Sequence, residues 1–221
     1  MPNPYLPALV SIGLVTAVLA VGCSDAPEPP PPPSDSAQQE VGGVEDMQAF
    51  WTNLQAECGR AYAGALALEP PGDEMLTGTE ELVVHFRECG EDELRIPFHV
   101  EIEETGTWDR SRTWVLLRDR NGLELRHDHR RPDGSPDDRT WYGGMIMEGG
   151  TEHRQDFLSV ERTAESGYQR GWRIEIIPGE RYSYGTTRRG EWSWRVDFDL
   201  NRPVDEPPPP WGAEEGSGDR R

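Results

Sequence analysis

The chain has 221 residues, with 22 basic and 41 acidic side chains, a net charge of −19, and arginine as its only basic residue besides histidine. A chain this acidic repels polyphosphate, which argues against nucleic acid as a partner. Its 20 prolines and 24 glycines exclude a helical bundle or coiled coil, and its 3 cysteines are too few for a disulfide scaffold.

Residues 1–22 carry no charged side chain, and Pro7 interrupts their apolar run so that only Ala8 to Val21 remains continuous. That is shorter than the roughly 20 residues a helix needs to cross a bilayer, and it reads as the core of a signal peptide. Leu19-Ala20-Val21-Gly22-Cys23 resembles a bacterial lipobox, in which small residues precede a cysteine that is lipidated and becomes the first residue. The match departs from the usual pattern in having Ala20, rather than leucine, three places before the cysteine. It also lacks a positively charged leading region. The expectation is lipidation at Cys23 and an exported, lipid-anchored protein of the cell envelope, periplasmic or surface-facing, that meets the membrane through its lipid. An ordinary secretory signal followed by an idle cysteine is the alternative.

Residues 23–43 then read as a tether. Pro29 to Pro33 favour polyproline II, which rises about 3.1 Å per residue, so twenty residues reach roughly 60 Å. Residues 205–221 share the proline-rich, acidic composition and are expected to be a disordered tail, which leaves a folded domain over 44–204. Cys58 and Cys89 remain as an even pair in an oxidising compartment. If strands near 60–68 and 79–87 form an antiparallel hairpin, positions summing to 147 face each other, and Cys58 stands opposite Cys89. The pair lacks the C-x-x-C spacing of a metal or redox site, so a disulfide is expected.

Met47, Phe50, Trp51 and Leu54 fall at helical spacing and predict one amphipathic helix at the start of the domain. After it the pattern has period two. Trp192 to Leu200 is apolar at even positions and polar or charged at odd ones, and Leu94 to Ile102 repeats this. Turn signals such as Asn121-Gly122, Pro178-Gly179 and Arg189-Gly190 recur between the runs. About nine strands result, near 60–68, 79–88, 94–102, 110–118, 123–129, 139–147, 171–177, 181–187 and 192–200. The expected fold class is all-β, a single antiparallel and mostly up-and-down barrel with one short N-terminal helix.

A short helix followed by Gly59-Arg-Ala-Tyr62-Ala-Gly64 resembles the opening of calycin-type barrels (lipocalins, fatty-acid-binding proteins, nitrobindins), which implies a helix capping one end of such a barrel. FWTNLQAECGRAYAG, RIPFHV, DRSRTWVLLR, LRHDHRRPDGSPDDRTWYGG and VDFDLNRPV together resemble an uncharacterised family of exported bacterial proteins. That resemblance implies export and a single domain, and no activity.

The densest polar cluster is Leu123 to Arg131. On a strand, Leu123, Leu125, His127 and His129 share one face, and the leucines mark it as the inner one. Across the Asn121-Gly122 turn, Arg112, Trp114, Leu116 and Arg118 fall on the same face. One of the permitted registers sets Trp114 opposite His127 and Arg112 opposite His129. His85 and His99 occupy outward, odd positions and are expected on the surface.

Three readings follow. Arg112, His127 and His129 hold the anionic head of a small, partly apolar ligand, with Trp114, Tyr182, Tyr184 and Trp194 along its body. Alternatively, His127 and His129 ligate a divalent transition metal in an enzyme, with a third ligand from another strand or from the acidic loop Asp133 to Asp138. The glutamate that a cupin motif places after the pair is absent, since Pro132 and Asp133 stand there. In the third reading the histidines are satisfied by neighbours and the chain is a non-catalytic envelope interaction protein with a filled core. No Gly-x-Ser-x-Gly elbow, Walker loop or His-Glu-x-x-His occurs, so a cofactor-free binder is expected rather than an enzyme. Oligomeric state is left open by the sequence.

Overall fold

The computed structural model describes residues 35–69 and 76–213, with side chains from residue 43 onward. The expected signal peptide, Cys23 and Pro29 to Pro33 lie outside the described residues. Eleven strands follow helix α1 (Asp35–Gln55): β1 (Ala61–Leu68), β2 (Leu82–His85), β3 (Glu88–Cys89), β4 (Glu93–Ile102), β5 (Thr107–Asp119), β6 (Gly122–His129), β7 (Tyr142–Ile146), β8 (Arg154–Leu158), β9 (Arg170–Ile177), β10 (Arg181–Arg188) and β11 (Glu191–Val204), with helix α2 (Val160–Ser166) between β8 and β9. Neighbours run β2-β1-β11-β10-β9-β8-β7-β6-β5-β4, and β2 also pairs with β4. The sheet therefore closes into an antiparallel barrel, with β3 as an extra strand on β4 outside the ring. Closure removes the free edges that so many aromatic strands would otherwise expose.

The period-two pattern explains the interior. Leu94, Ile96 and Phe98 of β4, Ile174 and Ile176 of β9, and Val196 and Phe198 of β11 are all buried in one cluster. On β1, Gly64 is a packing glycine: a Cβ there would lie 2.3 Å from the Phe198 ring. Gly122 opens β6 at φ 124°, where an L side chain would be strained and would also meet Ile146 at 2.8 Å.

Helix α1 turns Phe50, Trp51 and Leu54 inward with no exposed surface, and the Arg118 guanidinium lies 4.9 Å over the Trp51 ring. It sits at the barrel end marked by Arg118 and Gly122. The helix begins at Asp35, inside the stretch expected to be tether; Ser36-Ala-Gln-Gln-Glu40 are acceptable helix formers and no proline follows Pro33 until Pro70. Tyr62 of β1 donates its hydroxyl hydrogen bond to Glu57 just beyond the helix, and Arg60 pairs with the same carboxylate at 3.1 Å.

Cys58 and Cys89 stand at disulfide-bonding distance with Cα atoms 6.2 Å apart. The β1–β2 register is one residue off the expected sum, pairing Ala61 with His85; hydrogen bonds extend it to Arg60 and Phe86, beyond which Glu88 and Cys89 pair with β4.

Three elements depart from the sequence reading. The expected strand 79–88 is split into β2 and β3. The segment after residue 147 contains β8 and α2, neither of which was expected. β8 has five residues with Phe157 as its only large apolar inward side chain, too short to show alternation. α2 has seven residues and none buried, so it carries no apolar stripe; Ser159 caps its start and Gly167, at φ 72°, its end. His85 and His99 do point outward from the barrel, yet they are 3 % and 0 % exposed. The cover is the chain's own residues 205–213, which lie against the outer face where a disordered tail was expected; Pro207 is buried there.

The Cys58–Cys89 bridge closes a segment of 31 residues. Reduction, or the Cys58→Ala/Cys89→Ala pair, is expected to lower unfolding free energy by about 3–4 kcal/mol in guanidinium denaturation, because the open loop restores entropy to the unfolded chain.

Candidate functional site

β5 and β6 carry the polar cluster to the end of the barrel opposite α1, about 20 Å from Gly122 along β6. Their register is Arg112↔His129 and Trp114↔His127, one of the two pairings the sequence permitted. His127 follows Leu123 and Leu125 onto the inner face and is buried, whereas His129, one step nearer the rim, is half-buried.

A bulge between β4 and β5 shapes the rim. Phe98 pairs with Arg112 and Val100 with Asp109, so one residue of β4 faces two of β5. The extra residue resets the parity of β5, which places Asp109 and Arg112 on the same inner side. Arg112 Nη1 donates to Asp109 at 2.5 Å.

His127 is held by two partners. Its Nδ1 lies 3.1 Å from the Tyr142 carbonyl, which can only accept, so Nδ1 carries the proton. Nε2 therefore accepts from the Tyr184 hydroxyl. The ring also stacks on Tyr142 at 4.6 Å and leans on Trp172 at 4.8 Å. Burial pushes His127 down to about 3, with the neighbouring His129 and Arg162 adding to the effect. Burial likewise pushes the Tyr184 hydroxyl well above its ordinary value, so both groups are neutral. His129 is lowered by burial and then by the Arg112 charge, and its Nε2 meets the Tyr142 hydroxyl at 3.1 Å.

The side chains expected to line an apolar cavity instead pack on one another. Trp114 stacks on Tyr184 with ring centroids 3.9 Å apart and on Phe98 at 5.0 Å. Tyr182 lies 5.3 Å from Phe86 and 5.9 Å from Phe198, and Trp194 stands edge-on to Tyr184 at 6.3 Å. The Tyr182 hydroxyl and the Trp194 indole nitrogen have no hydrogen-bond partner among the described residues. Grooves of about 510 and 470 Å³ lie on the outside, one along Val44 to Asn53 of α1 and one over Ala63 to Ala65 and Asp197 to Asp199. Neither touches the seven side chains assigned to a ligand.

The arrangement does not assemble the metal site considered from sequence. Both His127 nitrogens are engaged, and among the described residues no group of three His, Cys, Asp or Glu side chains converges. In the acidic loop, Asp133 accepts from Ser135, and Asp138 pairs with Arg131 at 2.7 Å.

Two residues of the site were not singled out from sequence. Tyr142 has the even parity of its strand and was legible on that ground. Arg162 was not, because it belongs to α2; its guanidinium lies 4.7 Å over Trp172 and 5.4 Å over Tyr142. The charges that act on the Tyr142 hydroxyl, from Arg162, Arg112 and Arg139, are all positive, although burial is the larger effect and raises its pKa.

No family model, curated protein or solved structure matches the chain. The closed antiparallel barrel is compatible with a calycin-like fold without naming a family.

Between about pH 6.5 and pH 3 the unfolded chain takes up a proton that folded His127 refuses. His127 thus contributes stability fully above pH 6.5 and loses it as pH falls towards 3. Denaturation midpoints are expected to drop from pH 7 to pH 4, and to drop less steeply in His127→Gln, although that variant starts from lower stability.

Proposed function

We propose that the chain is an exported, lipid-anchored barrel protein that acts by binding rather than catalysis, and that it works through its outer surface and open rim instead of an internal cavity. One observation carries this reading: the interior is filled by the protein's own aromatic side chains, with Trp114, Tyr182 and Trp194 each at most 4 % exposed. A carrier barrel needs a pocket of roughly 300 Å³ or more for its ligand, and here the space is occupied by packed rings. The lipobox-like residues before Cys23 support the address.

Native mass spectrometry of the chain purified without a histidine tag or chelator tests it. A bare protein mass is expected, whereas an organic mass released on unfolding would overturn it. Trp114→Ala is expected to cost about 3–5 kcal/mol, since a stacked indole leaves a void its neighbours fill only in part. A lining residue of an open pocket would cost far less.

The rim supports a second reading, a small anion held by Arg112, His129 and Arg162. Its ground is the Arg162 guanidinium 5.4 Å over the Tyr142 ring beside the half-buried His129, whose Nε2 meets the Tyr142 hydroxyl, with Asp109 as the counter-ion an anion would displace from Arg112. Inorganic phosphate is expected to shift the His129 ring resonances saturably in the wild-type chain and not in Arg112→Ala. Unchanged resonances in the wild type would remove this reading.

A further inference from the structure

Residues 205–213 cross the outside of the barrel over β2, β4 and β5. Their acceptors meet barrel donors in sequence: Arg87 Nη1 donates to Glu206 at 3.0 Å, His99 Nε2 to the Pro208 carbonyl at 2.8 Å, and Arg110 Nη1 to the Pro209 carbonyl at 2.9 Å. In return the Trp211 backbone N–H donates to the Arg110 carbonyl at 3.1 Å. Gly212 then lies so close to Gly134 that a Cβ on Gly134 would come within 3.0 Å of it.

This is the chemistry by which a surface reads a proline-rich strand. Proline has no N–H, so a run of prolines offers only carbonyls and cannot extend a sheet. A seat for it has to supply donors at successive carbonyls, and His99 and Arg110, on adjacent strands, do so. The His99 donor is braced by the barrel itself, its ring meeting that of Trp108 on β5 edge-on. Recognition spans six residues, Glu206 to Trp211, led by a carboxylate on an arginine. Such a strand is already close to its bound shape, so little entropy is lost on docking.

β11 ends at Val204, and residues 201–206 are exposed. The segment can therefore leave its seat by rotation after the last strand, with the barrel unchanged. We propose that the outer face of β2, β4 and β5 is a recognition site for the extended segment Glu-Pro-Pro-Pro-Pro-Trp, occupied in cis by residues 206–211 and open in trans to the same segment of a second copy of this chain. The proposal rests on the reading that the outer surface is the working part of the protein. Exchange of a short terminal segment between copies buries no new kind of contact and costs little beyond the loss of the tether's effective concentration.

The test uses the full chain with its own segment loosened by Pro207→Gly/Pro208→Gly/Pro209→Gly, and a labelled synthetic peptide of residues 204–213. Saturable binding is expected, at least tenfold tighter than to the wild-type chain, whose seat is filled. Adding Arg110→Ala to the loosened chain is expected to weaken it at least tenfold, and a scrambled peptide is expected not to bind. Absence of saturable binding to a loosened chain with an unchanged near-ultraviolet circular dichroism spectrum would overturn the proposal, as would indifference to Arg110→Ala. Should the loosened chain fail to fold, full-length Trp211→Ala takes its place with the same two outcomes. A bound organic mass in the native spectrum would instead overturn the filled-barrel reading while leaving the peptide result to stand.

Discussion

A sheet closed on itself encloses a volume that its inward side chains have to fill, because an unfilled gap forfeits dispersion contacts on every wall. In this barrel the filling is largely aromatic: Phe98, Trp114, Tyr182, Tyr184 and Phe198 lie within stacking or edge-on distance of one another. Tyrosine brings a hydroxyl with it, and a buried hydroxyl without a partner costs free energy comparable to a lost hydrogen bond. His127 answers that requirement for Tyr184, and Glu57 answers it for Tyr62. The inward histidine is thus a consequence of filling the barrel with rings that have polar ends. Its tautomer is fixed by the Tyr142 carbonyl, which leaves Nε2 as the acceptor Tyr184 needs.

The two barrel ends differ for a related reason. At one end α1 supplies Phe50, Trp51 and Leu54, which seal the interior from water. At the other, α2 has no buried residue and contributes only Arg162, laid over the Tyr142 and Trp172 rings. Cations over aromatic faces let charge approach an apolar interior without entering it. The rim therefore keeps half-buried charge beside a dry core, and the bulge in β5 adds Asp109 as a counter-ion to Arg112.

Legibility in the sequence followed the length of the pattern. Long alternating runs such as Leu94 to Ile102 and Trp192 to Leu200 were readable as strands, and parity alone placed His127, Trp114, Tyr182 and Tyr184 inside. β8 and α2 were hidden because five and seven residues with little burial produce no period. Parity gave the direction of His85 and His99 and missed their burial, since it reports which face of a strand a residue takes and nothing of what covers that face. The same limit applies to the aromatic residues. Sequence shows that they point inward and cannot show whether they ring a cavity or fill it, because that depends on barrel width and on rotamers chosen collectively.

The bulge that shapes the rim also prepares the outer face. In an unbroken antiparallel ladder every β5 carbonyl is either bonded to a neighbouring strand or faces the next one. Between Phe98 and Val100 the ladder is interrupted, and the carbonyl of Arg110 is left for the Trp211 N–H while the Arg110 guanidinium reaches the Pro209 carbonyl. The reset of parity that turns Asp109 inward turns Arg110 and Trp108 outward beside His99. One inserted residue therefore serves both surfaces: it joins Asp109 to Arg112 at the rim and sets out the donors and the free carbonyl that seat residues 206–211.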